Sequence, residues 1–336
     1  MNSFPIIRLR RNKYSSFIRD LVQENHIHLH DLVYPIFIVD GIKQHQAIEA
    51  MPDQYRVSID MIMPIIDECL KLGICAIALF PVIDPSLKNL PASESYNDNG
   101  LIPKAIRHIK SYNVNIGIFT DIALDPYTTH GHDGILINNY VDNDTTNQVL
   151  IKQALTHAIA GADFICPSDM MDGRIGAIRL ALENNNFYNT GIMSYAVKYA
   201  SNLYGPFRQA VGSQIQNHNI NTQTPILNKS SYQMNIANSN EAIHETKLDI
   251  EEGADIIMVK PALSYLDIVY QIKQQFKKPT AVYHVSGEYA MLKLAAKYNY
   301  CDYEKTLLEQ MLCYKRAGAD IIWTYAAKDV AKLITI

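Results

Sequence analysis

Three short stretches of this chain share one form: Gly161-Ala162-Asp163-Phe164-Ile165, Gly253-Ala254-Asp255-Ile256-Ile257 and Gly318-Ala319-Asp320-Ile321-Ile322. Each carries a glycine of the kind that ends a helix, then a tight turn, then an apolar run of strand length. A chain that repeats helix, glycine, turn and buried strand is set up for parallel strands joined by helical crossovers. Ordinary helix-to-strand turn chemistry would by itself account for the glycines.

The rest of the chain follows the same alternation. Strand signals fall at 32–39, 74–80, 116–120, 164–166, 191–194, 256–260, 280–285 and 320–324. Helical patterns fill the gaps at 59–72, 101–111, 145–160, 174–183, 240–252 and 265–276, then at 288–298 and 303–317, and a last helix closes the chain. Eight strands alternating with helices predict an α/β fold of the closed (β/α)8 TIM-barrel type. An open doubly wound sheet is the rival. No G-x-G-x-x-G follows the first strand, which weakens a dinucleotide-binding version of it.

Residues 1–30 show no clean period and read as an N-terminal arm with one short helix near 15–24; 31–336 is the barrel. Arg8, Arg10, Arg11, Lys13 and Arg19 precede the first acid, Asp20. Such a composition also resembles an organelle transit peptide.

Composition narrows the function classes. The formal charge is −4, from 30 basic and 34 acidic residues, and no basic stripe stands out, so nucleic acid is not an implied partner. No apolar run approaches the roughly 18 residues needed to span a bilayer. Five scattered cysteines form no C-x-x-C pair, which suits a reducing compartment and predicts a cytoplasmic location.

Chemistry concentrates at the ends of the strand signals. Ile256-Ile257-Met258-Val259-Lys260-Pro261 places one lysine where an apolar strand stops. Burial there would lower the pKa of the ammonium and yield a free amine able to attack a ketone. A lysine that caps the strand and points to solvent is the plain alternative. Lys198, in Met193-Ser194-Tyr195-Ala196-Val197-Lys198, lies just past the fifth strand signal. Alone it reads as a surface lysine. Strands five and six are neighbours in a closed barrel, however, and two ammonium groups brought close repel, so that one loses its proton near neutral pH.

The third strand runs into a polar loop from Thr120 to Gly134 that holds Asp121, Asp125, Asp133, His130 and His132. Hard oxygen ligands would favour magnesium, and mixed ligands a transition metal; a turn capped by aspartates is the alternative. Ser286, at the end of the seventh strand, reads as a substrate contact or as an N-cap. The polar stretch at about 205–238 is too long for a simple connection and reads as a lid, or as a disordered insert. Arg208 and Lys229 are its only full cations, and they suit capture of a carboxylate.

Together these stretches resemble the porphobilinogen synthase family, also called 5-aminolevulinate dehydratase. The resemblance runs from Arg8-Leu9-Arg10-Arg11 to the eighth strand. It rests on 193–208 (MSYAVKYASNLYGPFR), 253–267 (GADIIMVKPALSYLD), 166–174 (CPSDMMDGR) and 283–291 (YHVSGEYAM). It implies a (β/α)8 barrel whose arm grips a neighbouring subunit, usually in a homo-octamer, and it favours the arm over a transit peptide. The implied activity is condensation of two 5-aminolevulinate molecules into porphobilinogen, with loss of two waters, in tetrapyrrole and haem synthesis.

By resemblance, Lys260 is the lysine that forms a Schiff base with the first substrate and Lys198 its second-site counterpart. Arg208 and Lys229 match the cations on the second carboxylate, with Gln233 a nearby polar contact. Ser286 and Tyr325 match the pair that holds the first carboxylate. Phe207 and Tyr283, within the same motifs, count among the substrate contacts. The proton-transferring base is not identified.

Some family members carry three cysteines in the third-strand loop and use catalytic zinc. Here those places are Ala123, Asp125 and Asp133, so no three-cysteine zinc site is expected. The loop resembles the aspartate-type, magnesium-responsive branch, in which Asp121, Asp125 and Asp133 line the active site, bind a weak cation or orient water. Glu245 stands where that branch binds a regulatory magnesium between subunits. Two features depart from the family: Gln209 replaces a common Asp after the lid arginine, and the lid is longer by roughly half a dozen residues. A class I aldolase-like barrel acting on a sugar phosphate and a catalytically silent barrel are the rival readings. The first would need a phosphate-binding loop where Ser286-Gly287-Glu288 stands; the second would be expected to have lost Lys198 or Lys260.

Overall fold

The computed structural model describes residues 3–215 and 228–335. Eight parallel strands close on themselves: β1 (Leu32–Val39), β2 (Ala76–Val82), β3 (Gly117–Ile122), β4 (Phe164–Pro167), β5 (Gly191–Lys198), β6 (Ile256–Lys260), β7 (Thr280–His284) and β8 (Ile321–Thr324). Closure comes from β8 pairing with β1, Ile322 opposite Leu32 and Trp323 opposite Val33. The open-sheet rival is therefore excluded.

The helices are α1 (Ser16–Leu21), α2 (Ile62–Lys71), α3 (Leu101–Ser111), α4 (Asn143–Ala160), α5 (Arg174–Asn184), α6 (Gly205–Val211), α7 (Asn240–Glu251), α8 (Leu266–Phe276), α9 (Ser286–Lys297), α10 (Tyr303–Ala317) and α11 (Ala327–Ile334). No helix among the described residues is long and apolar enough to cross a membrane.

The Gly-Ala-Asp echo does more than turn the chain. Gly161, Gly253 and Gly318 take φ of 106°, 106° and 109°, the left-handed region that a Cβ disfavours. The aspartate two residues on then reaches sideways to the preceding strand. Asp163 accepts from Ile118 N at 2.8 Å, Asp255 from Ile192 N at 2.8 Å and Asp320 from Thr280 N at 2.7 Å. Each aspartate thus joins the foot of its own strand to that of its neighbour: β3 to β4, β5 to β6, β7 to β8. Turn chemistry alone does not require this second role.

The barrel interior is packed. Trp323 is fully buried and meets the rings of Phe119 (5.7 Å), Tyr195 (6.0 Å) and Tyr283 (5.5 Å) between centroids. This aromatic layer is a floor, and the strand ends above it carry the polar groups.

Two sequence expectations are corrected, and one pair of short strands is added. β5 runs to Lys198 rather than ending at 194, so Lys198 is the last strand residue and not a position beyond it. The stretch 205–238 is not without elements. It opens with α6 and holds a single turn at Lys229–Ser231, while 216–227, the middle of the expected lid, lies outside the described residues. Pro206 in the first turn explains α6, since its fixed φ suits a helix start. A short antiparallel pair, His45–Ala47 with Tyr55–Val57, extends the edge of β1; its three-residue strands were too short to show a period in the sequence.

Candidate active site

Lys198 and Lys260 are Cα partners across β5 and β6. The register shifts between Ile257 and Val259, and past that irregularity the two lysines stand side by side. Both are 6% exposed. Their surroundings differ.

The Lys260 amine sits in an aromatic box. Its nitrogen lies 4.6 Å from the Tyr283 ring centroid, 5.0 Å from that of Tyr195, and 5.3 Å from those of Tyr204 and Phe207. Tyr204 also donates its hydroxyl to the Lys260 carbonyl at 3.0 Å. Burial and the neighbouring Lys198 charge lower the Lys260 pKa to about 7, against a partial pull from Asp121. At neutral pH a large share is free amine, the nucleophilic form. Aromatic faces stabilise a cation less than water does, so the box still favours the neutral form.

Lys198 lies among oxygens. It donates to the Ser168 carbonyl and reaches Asp133 Oδ1 at 3.4 Å. Asp133 Oδ2 in turn meets Lys229 Nζ at 3.1 Å, and Asp125 stands 3.6 Å from the same nitrogen. All of these side chains are buried. Burial would raise the Asp133 carboxyl, but Lys198 and Lys229 outweigh it and hold the group well below the usual carboxylate range. Asp121, deeper in β3, is pushed up to about 6 by burial despite attraction to Lys260 and Lys198.

The loop from Thr120 to Gly134 thus supplies counter-charges to the lysines. Its histidines turn to other partners: His130 Nδ1 accepts from His132 N at 3.1 Å, and His132 Nδ1 meets the Tyr232 hydroxyl at 3.2 Å. Among the described residues no three His, Cys, Asp or Glu side chains converge to hold a metal ion.

Arg208, Lys229, Gln233 and Phe207 line the same cleft as the two lysines and the three aspartates. Tyr283 donates its hydroxyl to that of Tyr325 at 2.7 Å, which leaves the Tyr325 proton for another acceptor. Ser286 is not a cap: Val285 holds the N-cap position and Ser286 is the first helical residue. Its hydroxyl accepts from Phe207 N at 3.0 Å and donates to the Leu203 carbonyl at 3.3 Å. Glu245 lies apart on α7. It meets Arg174 at 2.7 Å, and that buried arginine also pairs with Asp249 at 2.7 Å.

Sequence reasoning passed over Arg56, Lys88 and Tyr204. Arg56 donates to the carbonyls of Ala210 (2.6 Å) and Gln209 (2.9 Å), and Lys88 donates to that of Gly212 (2.7 Å). Together they satisfy the C-terminal carbonyls of α6 and dock it over the barrel. The sequence bears no local mark of these contacts, because each joins residues more than a hundred positions apart.

A family model for delta-aminolevulinic acid dehydratase matches residues 6–333. The chain belongs to the delta-aminolevulinic acid dehydratase family. Members of that family are dehydratases, a class of lyase. The relative from Methanothermus sociabilis is 47% identical over 335 residues, covering 98% of this chain and 99% of its own. That from Bradyrhizobium diazoefficiens is 45% identical over 326 residues, covering 97% and 90%. A crystal structure of the dehydratase from Toxoplasma gondii, in complex with its reaction product porphobilinogen, superposes with a TM-score of 0.93. It is 44% identical, over 98% of this chain and 92% of that one.

Proposed function

We propose that this chain is a porphobilinogen synthase of the aspartate type, and that it condenses two 5-aminolevulinate molecules through Schiff bases on Lys260 and Lys198. The observation that carries the mechanism is the side-by-side pair, with Lys260 lowered to about 7 in its aromatic box. The free amine adds to the ketone of the first substrate and water leaves, forming an imine. The Tyr325 hydroxyl, and that of Ser286 once it turns from the Leu203 carbonyl, hold the first carboxylate by hydrogen bonds that add no charge. Lys198 forms the second imine, while Arg208 and Lys229 take the second carboxylate and Gln233 lines the same wall.

Each imine draws electrons from the adjacent carbon, which makes that carbon acidic enough for C–C bond formation. A carboxyl held at about 6 is suited to move the protons, and this role falls to Asp121. Asp125 and Asp133 balance Lys229 and Lys198 before substrate arrives.

A regulatory magnesium is assigned to Glu245. One oxygen of Glu245 is taken by Arg174, and the other has no hydrogen-bond partner among the described residues. A single open carboxylate oxygen fits a cation that keeps most of its water. Such an ion would supply a structural link between subunits and take no part in the bond-making step. Along the arm, Phe4, Ile6, Leu9, Tyr14, Phe17 and Leu21 are all more than 60% exposed in the single chain. Apolar exposure on this scale supports an arm that grips a second subunit; the homo-octamer is what the family resemblance implies. The five cysteines are unpaired, which agrees with the reducing cytoplasm as the place of work.

The test is to mix purified protein with 5-aminolevulinate and follow porphobilinogen with chelator, with magnesium and with zinc. Product in chelator, raised by magnesium and not by zinc, is expected. Rescue by zinc alone would overturn the aspartate-type assignment, and no product in any arm would overturn the activity.

A further inference from the structure

A site that holds a carboxylate at one strand end and attacks a ketone from the next strand end measures the distance between the two groups. In the first site proposed above, these ends are Ser286 after β7 and Lys260 on β6. The β6–β7 ladder pairs Ile257 with Thr280, Met258 with Ala281 and Val259 with Val282, and it goes no further. Beyond it the two chains run on as Lys260-Pro261-Ala262-Leu263 and His284-Val285-Ser286 with no ladder bond between them.

One buried side chain spans this gap. Glu288 accepts from Leu263 N with Oε1 at 2.7 Å and from Val285 N with Oε2 at 2.7 Å. The second bond is an ordinary helix cap, a glutamate at the third helical position reaching back to the N-cap amide. The first leaves the helix altogether and ties down the segment that follows Lys260, which capping does not require. The turn is also held from its other side. A Cβ on Gly287 would stand 2.5 Å from the Leu203 carbonyl oxygen, so α9 and the segment before α6 already touch through backbone. Among the described residues Glu288 makes no hydrogen bond or ion pair with Lys260 or the Ser286 hydroxyl.

We propose that Glu288 is a positioning residue that fixes the span between the Lys260 amine and the Ser286 hydroxyl, and so selects the length of oxo acid the first site accepts. This rests on the assignment of Lys260 and Ser286 to the first substrate. A 4-oxo acid then fits, while a 5-oxo acid carries one methylene too many between carboxylate and ketone.

The experiment is reductive capture of 4-oxopentanoate and 5-oxohexanoate, read by mass spectrometry of the Lys260 peptide. The ketone condenses with the Lys260 amine and releases water. Borohydride delivers hydride to the imine carbon, and a proton from solvent completes a stable secondary amine. The native chain is expected to capture the 4-oxo acid at least about tenfold faster, the usual worth of one methylene. Glu288→Gln keeps the size of the side chain, but its amide nitrogen cannot accept the second N–H. It is expected to cut that ratio at least about fivefold. Glu288→Asp, too short to reach both amides, is the second variant should the first fail to fold, with the same expectation. Equal slowing of both acids, with the ratio unchanged, would overturn the proposal and leave Glu288 a helix cap. So would equal capture of both acids by the native chain. Capture of neither acid by the native chain would overturn the Lys260 assignment itself, and this proposal with it.

Discussion

Lys260 and Lys198 are adjacent lysines in different solvents: one faces rings, the other oxygens. Under the proposed mechanism that difference separates their tasks, and pH can test it. Because burial lowers the folded Lys260 to about 7, the ammonium form dominates below that value and has no lone pair. Capture of 4-oxopentanoate at Lys260 should therefore fall about tenfold per pH unit below 7 and level off above it. Mass spectrometry after reduction across pH 5 to 9 reads this directly, and a plateau reaching down to pH 5 would contradict the lowered value. Lys260→Met should abolish porphobilinogen formation while the far-UV circular dichroism stays native. At Asp133 the issue is pairing. It is the carboxylate shared by Lys198 and Lys229, and removing one member of a buried ionic set costs about 3–5 kcal/mol. Asp133→Asn is expected to lower the urea midpoint accordingly and to stop turnover, yet to leave first-site capture at Lys260. Loss of that capture would mean the two sites are not separable in this way.

The elements repeat one device: helix, left-handed glycine, aspartate, strand. The aspartates at 163, 255 and 320 each hold an amide in the first two residues of the neighbouring strand, so they set register where a parallel sheet has no hairpin to do so. Asp255→Ala is expected to cost about 1 kcal/mol, the net worth of one such bond, read as a shift in the urea midpoint with an unchanged slope. A cost near zero would reduce the echo to turn chemistry. α6 follows a different rule. Its seven residues are too few to be stable alone, and Arg56, Lys88 and the Ser286 hydroxyl hold it from three directions. Because Phe207 and Arg208 ride on it, its anchoring bears on the cleft that holds the two lysines.

At the scale of the molecule, the arm and Glu245 stand outside the cleft that holds the two lysines, and the roles proposed for them are tested on the assembly. Glu245→Ala is expected to remove magnesium stimulation and to lower activity at low protein concentration, as followed by porphobilinogen formation and sedimentation. An unchanged magnesium response would refute the assignment.

The alternation of strands and helices, the closed barrel and the two lysines were all legible in the amino-acid order. Periodicity, helix-stopping glycines and strand-end residues are local, and local patterns act through a few neighbouring backbone dihedrals. What lay beyond reach depended on residues far apart in the chain. Only the closed barrel set Lys198 opposite Lys260 in register, put aromatic rings around one amine and carboxylates near the other, and brought Arg56 to α6. It also turned Ser286 from a cap into a partner of Phe207 and carried Glu288 across to Leu263. A pKa or a hydrogen bond is a property of whatever stands within a few ångströms, and in a parallel barrel those neighbours come from other strands.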